Sequence, residues 1–274
     1  MLLRDGDLAV GEFVCPPGDW RWDGENDIGD GFHLVFPWMP VHIARASLPG
    51  MVATPNHAVL YPPGLRFRRR NLTGQGDHCL FAVLSPAMCS RLGLADQPEH
   101  LFDPVLAPTV WLGQRLLAEY LSRPGHDAEV AGQIARMTIV AAVANRPASS
   151  GHAARGAVDQ AMELMATSPG RLLPLAQIAR GAHYSRFHLL RAFHDRTGYT
   201  LHQYHLQLRL RRSVDLVIAG APLADIAHSF GFQGHSHFTA RFHRAFGETP
   251  SALRNAVDAG DTVPELIGRL LTAA

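Results

Sequence analysis

One residue pattern occurs twice between residues 171 and 254, and each copy has the spacing of two short helices joined by a tight turn. The first copy has landmarks at Pro174, Leu175, Ile178, Ala179, Ala182, Ser185, Leu189, Phe193 and Gly198. The second has them at Pro222, Leu223, Ile226, Ala227, Phe230, Gly234, Phe238, Phe242 and Gly247. The offset between the copies is 48 residues at Leu175 and 49 at Gly198, so the second turn contains one additional residue. The repeat predicts two similar structural units.

The spacing of apolar residues indicates how each unit folds. Apolar side chains recur at i, i+3, i+4 and i+7, which predicts a short amphipathic helix with one buried stripe. A proline stands where each of these helices would begin, and Ser185 is a suitable N-cap for the helix that follows in the first copy. We therefore predict helix-turn-helix units over 174–197 and 222–246, joined by a long helix over 200–219.

Basic charge is concentrated in the part of the chain that contains the repeat. Residues 155–254 carry 12 Arg against 6 acidic side chains, a net charge of +6, although the whole chain has a formal net charge of only +1. A basic segment within a nearly neutral protein is typical of a surface that contacts phosphates. The charge pattern thus favours a nucleic-acid ligand for this segment.

The repeated segment resembles the DNA-binding domain of the AraC/XylS family. The first half of the resemblance lies in Leu175-Ala-Gln-Ile-Ala, Ser185-Arg-Phe-His-Leu, Phe193, Thr197-Gly198, Tyr204 and Arg209-Leu-Arg. The second half lies in Ile226-Ala-His-Ser-Phe-Gly-Phe, Ser236-His-Phe, Phe242, Phe246-Gly247, Thr249-Pro250 and Arg254. The resemblance covers about a hundred residues and implies a bipartite DNA-binding domain in a transcription regulator.

The resemblance also implies which residues contact DNA. They are Ser185, Phe187, Leu190 and Arg191 in the first unit, and His235, Ser236, Thr239 and Arg241 in the second. Arg191 is the best candidate for base recognition, because a guanidinium can bridge guanine O6 and N7. Members of the family often have Arg where this chain has Ala240, so we expect the second unit to contribute mainly phosphate contacts. Two alternatives stay open, an Arg191 that only faces solvent and a Phe187 that packs in the core.

The N-terminal part of the chain contains short apolar runs separated by Pro- and Gly-rich turns. The runs lie at 32–36, 41–45, 57–61 and 79–84 and predict a small β-barrel or sandwich. This region weakly resembles the cupin-like sensor domain found in several members of the family. The predicted fold is therefore α+β with two domains.

We divide the chain as follows. Residues 1–108 form a β-rich cupin-like sensor domain, 109–144 a helical pair, 145–154 a linker, 155–254 the DNA-binding domain and 255–274 a C-terminal tail with a short helix near 263–271. The helical pair either mediates dimerisation or covers the barrel, and the sequence favours neither.

A small effector is expected in the N-terminal domain, with His33, His42, Arg66 and Arg68 as weak candidates for its ligands. Alternation puts Leu65 and Phe67 on one face of a strand and Arg66 and Arg68 on the other. Such a strand is either an anion-binding edge or, as we favour, an exposed edge protected by charge. His33 and His42 stand alone without the His-x-His of metal-dependent cupins, so we expect no metal, no cofactor and no enzymatic activity.

The three cysteines have no short spacing that would indicate a zinc site or a redox pair. We expect Cys15, Cys79 and Cys89 to be buried structural thiols. The alternative is a sensor of metals or thiol-reactive compounds built on them, with His78. Two further alternatives are a cupin-type enzyme fused to a DNA-binding domain and a DNA-repair methyltransferase, although Cys15 lacks the surroundings of a methyl acceptor.

The expected setting is that of a cytoplasmic regulator. The chain has no apolar run of 18 residues and no signal peptide pattern at its start. The expected partners are double-stranded operator DNA, a small-molecule effector, a second copy of the chain and, for an activator, RNA polymerase. Each DNA-binding domain would contact two major grooves about one helical turn, ~34 Å, apart.

Overall fold

The computed structural model describes residues 1–45, 48–94, 104–144, 155–171 and 173–273. A strand-rich N-terminal region is followed by a helical C-terminal region, which confirms the predicted α+β class. The linker predicted over 145–154 lies outside the described residues.

The N-terminal strands form two antiparallel sheets. The first has the order β1-β2-β9-β4-β7 and the second β3-β8-β5-β6. The strands are β1 Leu3–Asp5, β2 Leu8–Cys15, β3 Asn26–Asp27, β4 Phe32–Pro37, β5 Val41–Arg45, β6 Leu48–Ala53, β7 Val59–Tyr61, β8 Arg66–Asn71 and β9 Asp77–Leu84. A closed barrel was one expectation, but among the described residues the outer strands of the two sheets do not pair with each other. At β6, an outer strand of the second sheet, a helix packs against the strand.

The helices follow in chain order. They are α1 Pro86–Arg91, α2 Pro108–Leu121, α3 Ala128–Ala144, α4 Arg155–Thr167, α5 Leu175–Gly181, α6 Arg186–Thr197, α7 Leu201–Ile218, α8 Leu223–Ser229, α9 His235–Phe246, α10 Pro250–Ala259 and α11 Val263–Thr272. A short 3-10 helix, Trp20–Trp22, lies between β2 and β3. The helix on β6 is α4.

Both faces of the first sheet are covered. Leu34, Leu80 and Ala82 point from one face into a core that they share with α2 and α3. Val35 and Phe81 lie on the other face, opposite the second sheet. The helical pair therefore packs on one face of this sheet, and α2 is buried along most of its length.

A glycine sets the position of one ring between the sheets. A Cβ on Gly11 would lie 2.4 Å from Cζ of Phe81, which faces it on the neighbouring strand. Only glycine leaves room for the ring to lie flat over β2.

The C-terminal region contains two helix-turn-helix units joined by α7. The first unit is α5 and α6, and the second is α8 and α9. The short helices begin one residue after Pro174 and Pro222, which act as N-caps. A capping box starts α7, since the Thr200 side chain accepts from the Gln203 backbone N–H while the Gln203 side chain accepts from the Thr200 backbone N–H.

The two turns are the same until the additional residue appears. The backbone N–H of Tyr184 donates to Ala179 O at 3.0 Å, and in the second unit Phe232 donates to Ala227 O at 2.8 Å. The extra residue therefore follows this shared turn. In the first unit, the N-cap of the next helix is Ser185, and its side chain caps the helix. In the second unit, the N-cap is Gly234, which has no side chain for capping.

The second unit packs against the N-terminal region. Phe238, Phe242 and Phe246 of α9 belong to the same apolar core as α2 and the first sheet. The rings of Trp111 and Phe246 have centroids 6.2 Å apart. The described parts of the chain thus share an apolar core across the two regions and do not form two separate bodies.

The first turn holds a histidine in a glycine conformation. His183 has φ 52°, whereas the matching residue of the second turn, Gly231, has φ 65°. A left-handed conformation costs an L-residue about 1–2 kcal/mol of folding free energy. Replacement by glycine removes this cost, but it also gives the unfolded chain more conformational entropy, which offsets part of the stabilisation.

We expect His183→Gly to raise the free energy of unfolding by about 0.5–1 kcal/mol, because it removes this strain. His183→Ala is the matched control, since alanine keeps the Cβ and should give no gain. Chemical denaturation of both variants provides the measurement. Equal stabilities for the two variants would contradict the strained turn.

Candidate nucleic-acid interface

Helix α6 buries one face and exposes the other. Leu189 and Phe193 are fully buried, whereas Phe187 is 71% exposed and Leu190 is 39% exposed. Phe187 is therefore free of the core, which removes the alternative that it packs inside. An exposed ring beside exposed polar residues is suited to contact with base edges or thymine methyl groups.

Arg191 lies on this exposed face. Its Nε is 3.8 Å from Asp195 Oδ2, one helical turn away, and both side chains are largely exposed. An exposed pair of this kind contributes only ~0–1 kcal/mol, so it does not prevent Arg191 from turning toward another acceptor. Ser185 supports the helix by accepting from the His188 backbone N–H at 3.3 Å.

Helix α9 presents a different set of side chains on its exposed face. His235, Ser236 and Ala240 are exposed, while Thr239 and Arg241 are half-buried. Arg241 Nε lies 3.2 Å from His237 Nε2. Arg241 is thus held against the turn, a position unlike the phosphate contact expected from the sequence.

Arg244 is the exposed cation of this helix. It follows Ala240 by four residues and therefore lies on the same face, one turn later. The matching residue of the first unit is Asp195, so the charges are placed differently in the two units. The i, i+4 spacing from Ala240 was the signal that would have identified Arg244.

Much of the basic charge serves the fold and not the surface. The described Arg side chains of this region that are exposed are Arg171, Arg180, Arg186, Arg191 and Arg244. Arg209 instead donates to Phe230 O at 2.6 Å and lies over the Phe232 ring at 4.3 Å. Arg254 donates to Val217 O and Ala221 O at the end of α7. The net charge of the segment therefore overstates the number of phosphate contacts.

Arg211 connects α7 to the N-terminal region. Nη1 donates to Pro55 O at 2.9 Å and Nη2 to Leu106 O at 2.6 Å. The side chain is only 1% exposed, and burial lowers its pKa to about 9. It is therefore still protonated at neutral pH, and its charge is solvated by backbone carbonyls in place of water.

Tyr204 makes the second connection. Its hydroxyl lies 2.7 Å from Thr54 Oγ1, and its backbone carbonyl accepts from Asn56 Nδ2 at 3.0 Å. Its ring meets the edge of Phe193, on the buried face of α6, with centroids 5.2 Å apart. A turn of the N-terminal region thus contacts the residue that supports the first recognition helix.

A cavity of about 240 Å³ lies between the two sheets. Its lining comprises Phe13, Arg21, Asn26, Asp27, Ile28, His33, Val35, Tyr61, Phe67, Arg69, Asp77, Cys79 and Phe81. Of the four side chains that the sequence suggested for an effector, only His33 is among them.

The other three candidates lie elsewhere. His42 is half-buried on β5 beside Gly50, and Arg66 and Arg68 are exposed. Arg66 pairs with Glu25 and Asp27. The arginine of this strand that lines the cavity is Arg69, on the same face as Phe67. The prediction of an exposed edge strand is also wrong for part of β8, because β3 pairs with it at Arg66 and Phe67.

The three cysteines are buried and form no disulfide bond. Cys15 Sγ accepts from Arg69 Nη2 at 3.4 Å, Cys79 lines the cavity, and Cys89 lies on α1. Burial raises the pKa of all three thiols, that of Cys89 to about 11. Within the described ranges, no three His, Cys, Asp or Glu side chains come together as they would around a metal ion.

Comparison with known proteins agrees with the geometry of the C-terminal region. Residues 178–256 match the family model described as a helix-turn-helix domain. The Right origin-binding protein of Escherichia coli K12 is 36% identical over 85 residues, which cover 31% of this chain and 29% of that protein. The chain carries a DNA-binding domain of the AraC/XylS family.

Other relatives match the same domain. The transcriptional activator RhaR of Pectobacterium carotovorum is 37% identical over 73 residues, 26% of each chain. These matches span less than a third of the curated relatives. Among solved structures, ToxT from Vibrio cholerae is 13% identical with a TM-score of 0.35, covering 92% of this chain and 98% of that one. Among the described residues, no helix is both long and apolar enough to cross a membrane.

In the second unit of this AraC-type domain, we expect Arg244→Ala to weaken binding to all DNA sequences about equally and to make the logarithmic salt dependence shallower by about 0.9, because one phosphate contact is lost. Arg241→Ala is the matched control on the same helix and should leave the salt dependence unchanged. Fluorescence anisotropy titrations at several salt concentrations provide the measurement. A change of slope in the control alone would reverse the assignment.

We expect the three thiols to react slowly with iodoacetamide in the native protein, since a buried thiol with a raised pKa carries little thiolate. All three should react once guanidinium chloride unfolds the chain. Mass spectrometry of the alkylated protein gives the count. Fast alkylation of any one thiol in the native state would favour a thiol-reactive sensor.

Proposed function

We propose that the protein is a sequence-specific DNA-binding transcription regulator whose activity is controlled by a small effector in the N-terminal region. The observation that carries the proposal is the pair of recognition helices, each with a fully buried aromatic face and an opposite face open to solvent. This is the arrangement by which helix-turn-helix proteins place a helix in the major groove. The proposed setting is the cytoplasm, with a second copy of the chain as partner.

The two units have unequal roles in this proposal. The first offers Arg191, Phe187 and Leu190 on one exposed face, which combines a hydrogen-bond donor for guanine with apolar groups for thymine methyls. The second offers His235, Ser236 and Ala240, with Arg244 at the far end. The first unit therefore selects the sequence, and the second mainly holds the backbone.

Control by the N-terminal region would act through α7. Arg211 and Tyr204 join this helix to residues 54–56 and to Leu106, and α7 in turn links both helix-turn-helix units. A shift of the N-terminal turn would move a helix on which the spacing of both units depends. A buried and tightly packed connection transmits such a shift because it cannot deform gradually.

The burial of the cysteines favours control by a bound effector over control by a reactive thiol, and we propose no enzymatic activity. A sensor needs a reactive and accessible thiolate, whereas all three cysteines are buried. The relatives matched in the C-terminal region include proteins named as transcriptional regulators and activators.

The test of specific binding is Arg191→Ala in the full-length protein, on DNA sites selected from a random pool by the unaltered protein. We expect the specific affinity to fall by about 1–3 kcal/mol and the preference at one base position to be lost. Arg180→Ala, an exposed arginine on α5, is the control and should preserve the base preference. Retained preference in Arg191→Ala would overturn the assigned orientation of α6.

The contact between the two regions can be tested by a double-mutant cycle. We expect Thr54→Val and Tyr204→Phe to be coupled by about 0.5–1.5 kcal/mol in the free energy of unfolding, since each removes one partner of the same hydrogen bond. Both replacements nearly preserve shape, so packing on Phe193 is kept. Additive effects of the two substitutions would show that the regions are not joined here in solution.

A further inference from the structure

The cavity between the sheets has the size of one substituted aromatic ring. Its volume is about 240 Å³. An apolar cavity of roughly 150 Å³ is enough to bind benzene, so this one also has space for a few substituent atoms.

The walls are built for an apolar, planar molecule. The rings of Phe13, Phe67, Phe81 and Tyr61 line the cavity together with Val35. Tyr61 and Phe67 have centroids 5.1 Å apart and form one continuous aromatic wall. Aromatic walls favour an aromatic ligand, because ring contacts add to the gain from burying apolar area.

The polar end of the cavity is a buried ion pair with free hydrogen-bonding capacity. Arg69 Nη1 donates to Asp77 Oδ2 at 2.9 Å, and the two side chains are only 8% and 7% exposed. Arg69 Nε and Asp77 Oδ1 have no hydrogen-bond partner in the structure. A buried donor and a buried acceptor left unpaired each cost free energy, which a suitable ligand would recover.

The charges of this end favour a neutral ligand. The guanidinium and the carboxylate already compensate each other, so an anion would meet Asp77 and a cation would meet Arg69. Two further walls are charged but already paired: Arg21 with Asp19 at 2.9 Å, and Asp27, whose Oδ2 lies 3.8 Å from Arg66 Nε. Burial raises the pKa of Tyr61 and of Cys79 far above the usual values and lowers the pKa of His33. No wall therefore supplies a free charge to balance a charged ligand.

We propose that this cavity binds a small neutral aromatic compound with a single group that both donates and accepts a hydrogen bond, as a phenol does. The hydroxyl donates to Asp77 Oδ1 and accepts from Arg69 Nε, and the ring lies among Phe13, Phe67 and Phe81. Its role as the effector rests on the regulator function proposed above.

The experiment measures the melting temperature of the full chain with four probes of similar size. They are 4-methylphenol, toluene, benzoate and benzylamine. We expect a saturable increase with 4-methylphenol, because a ligand that binds only the folded state stabilises it. Toluene should bind at least tenfold more weakly, since it leaves the two polar atoms unpaired. Benzoate and benzylamine should give no shift.

Two variants locate the site. Val35→Phe adds bulk inside the cavity and should abolish the shift with 4-methylphenol. Val14→Phe makes the same change on the exposed side of β2, where Val14 is 60% exposed, and should leave the shift intact. Binding of benzoate or benzylamine as tight as that of 4-methylphenol, equal binding of toluene, or no binding of any probe would overturn the ligand class.

DNA binding in the presence of 4-methylphenol separates this inference from the proposed function. A change in DNA affinity that Val35→Phe removes supports both. Cavity binding with unchanged DNA affinity supports the ligand class and overturns the effector role. Cavity binding in a protein that selects no DNA sequence supports the ligand class and overturns the regulator.

Discussion

The structure depends on a charge that is kept away from water. Arg211 is buried between α7 and the N-terminal region, where it donates hydrogen bonds to two backbone carbonyls and lies against the ring of Trp111. Burying a cation is costly unless its hydrogen bonds are satisfied, so α7 has few alternative positions on the N-terminal region. Because α7 also links the two helix-turn-helix units, this contact and that of Tyr204 with Thr54 position both units relative to the N-terminal region.

The DNA-binding domain shows how similar sequence repeats acquire different functions. Both copies keep the buried stripe, the tight turn and the glycine that ends the second helix, since each of these is needed for folding. The exposed positions are under no such constraint. Ala240 stands where the first copy has Arg191, and Arg244 stands where it has Asp195. The positive charge of the second copy therefore lies one helical turn later. The same fold therefore presents different chemistry at its two contact faces.

The sequence predicted the helices and strands that depend on local residue spacing. It did not predict the features that depend on residues distant in the chain. The helix-turn-helix helices followed from a 3.6-residue period and from caps, and most central strands followed from apolar runs. Strand β2 was missed because Gly11 and Glu12 interrupt its apolar pattern, although Gly11 is there to admit the ring of Phe81. The alternation in β8 already put Arg69 on the side of Phe67, but only the facing sheet shows that this side is enclosed. The positions of Arg209 and Arg211 could not be predicted, because their partners lie 21 and more than 100 residues away.

The last helix gives the molecule an unusual connectivity. Helix α11 packs on α2, where Gly113 lets Leu271 approach closely, and Arg123 donates to Val257 O of the preceding helix. The DNA-binding domain is thus fastened to the N-terminal region at both of its ends, covalently at one and by packing at the other. The domain is therefore not free to swing about a single connection. Moving the recognition helices away from the N-terminal region therefore requires α11 to detach from α2 in addition to breaking the contacts of Arg211 and Tyr204.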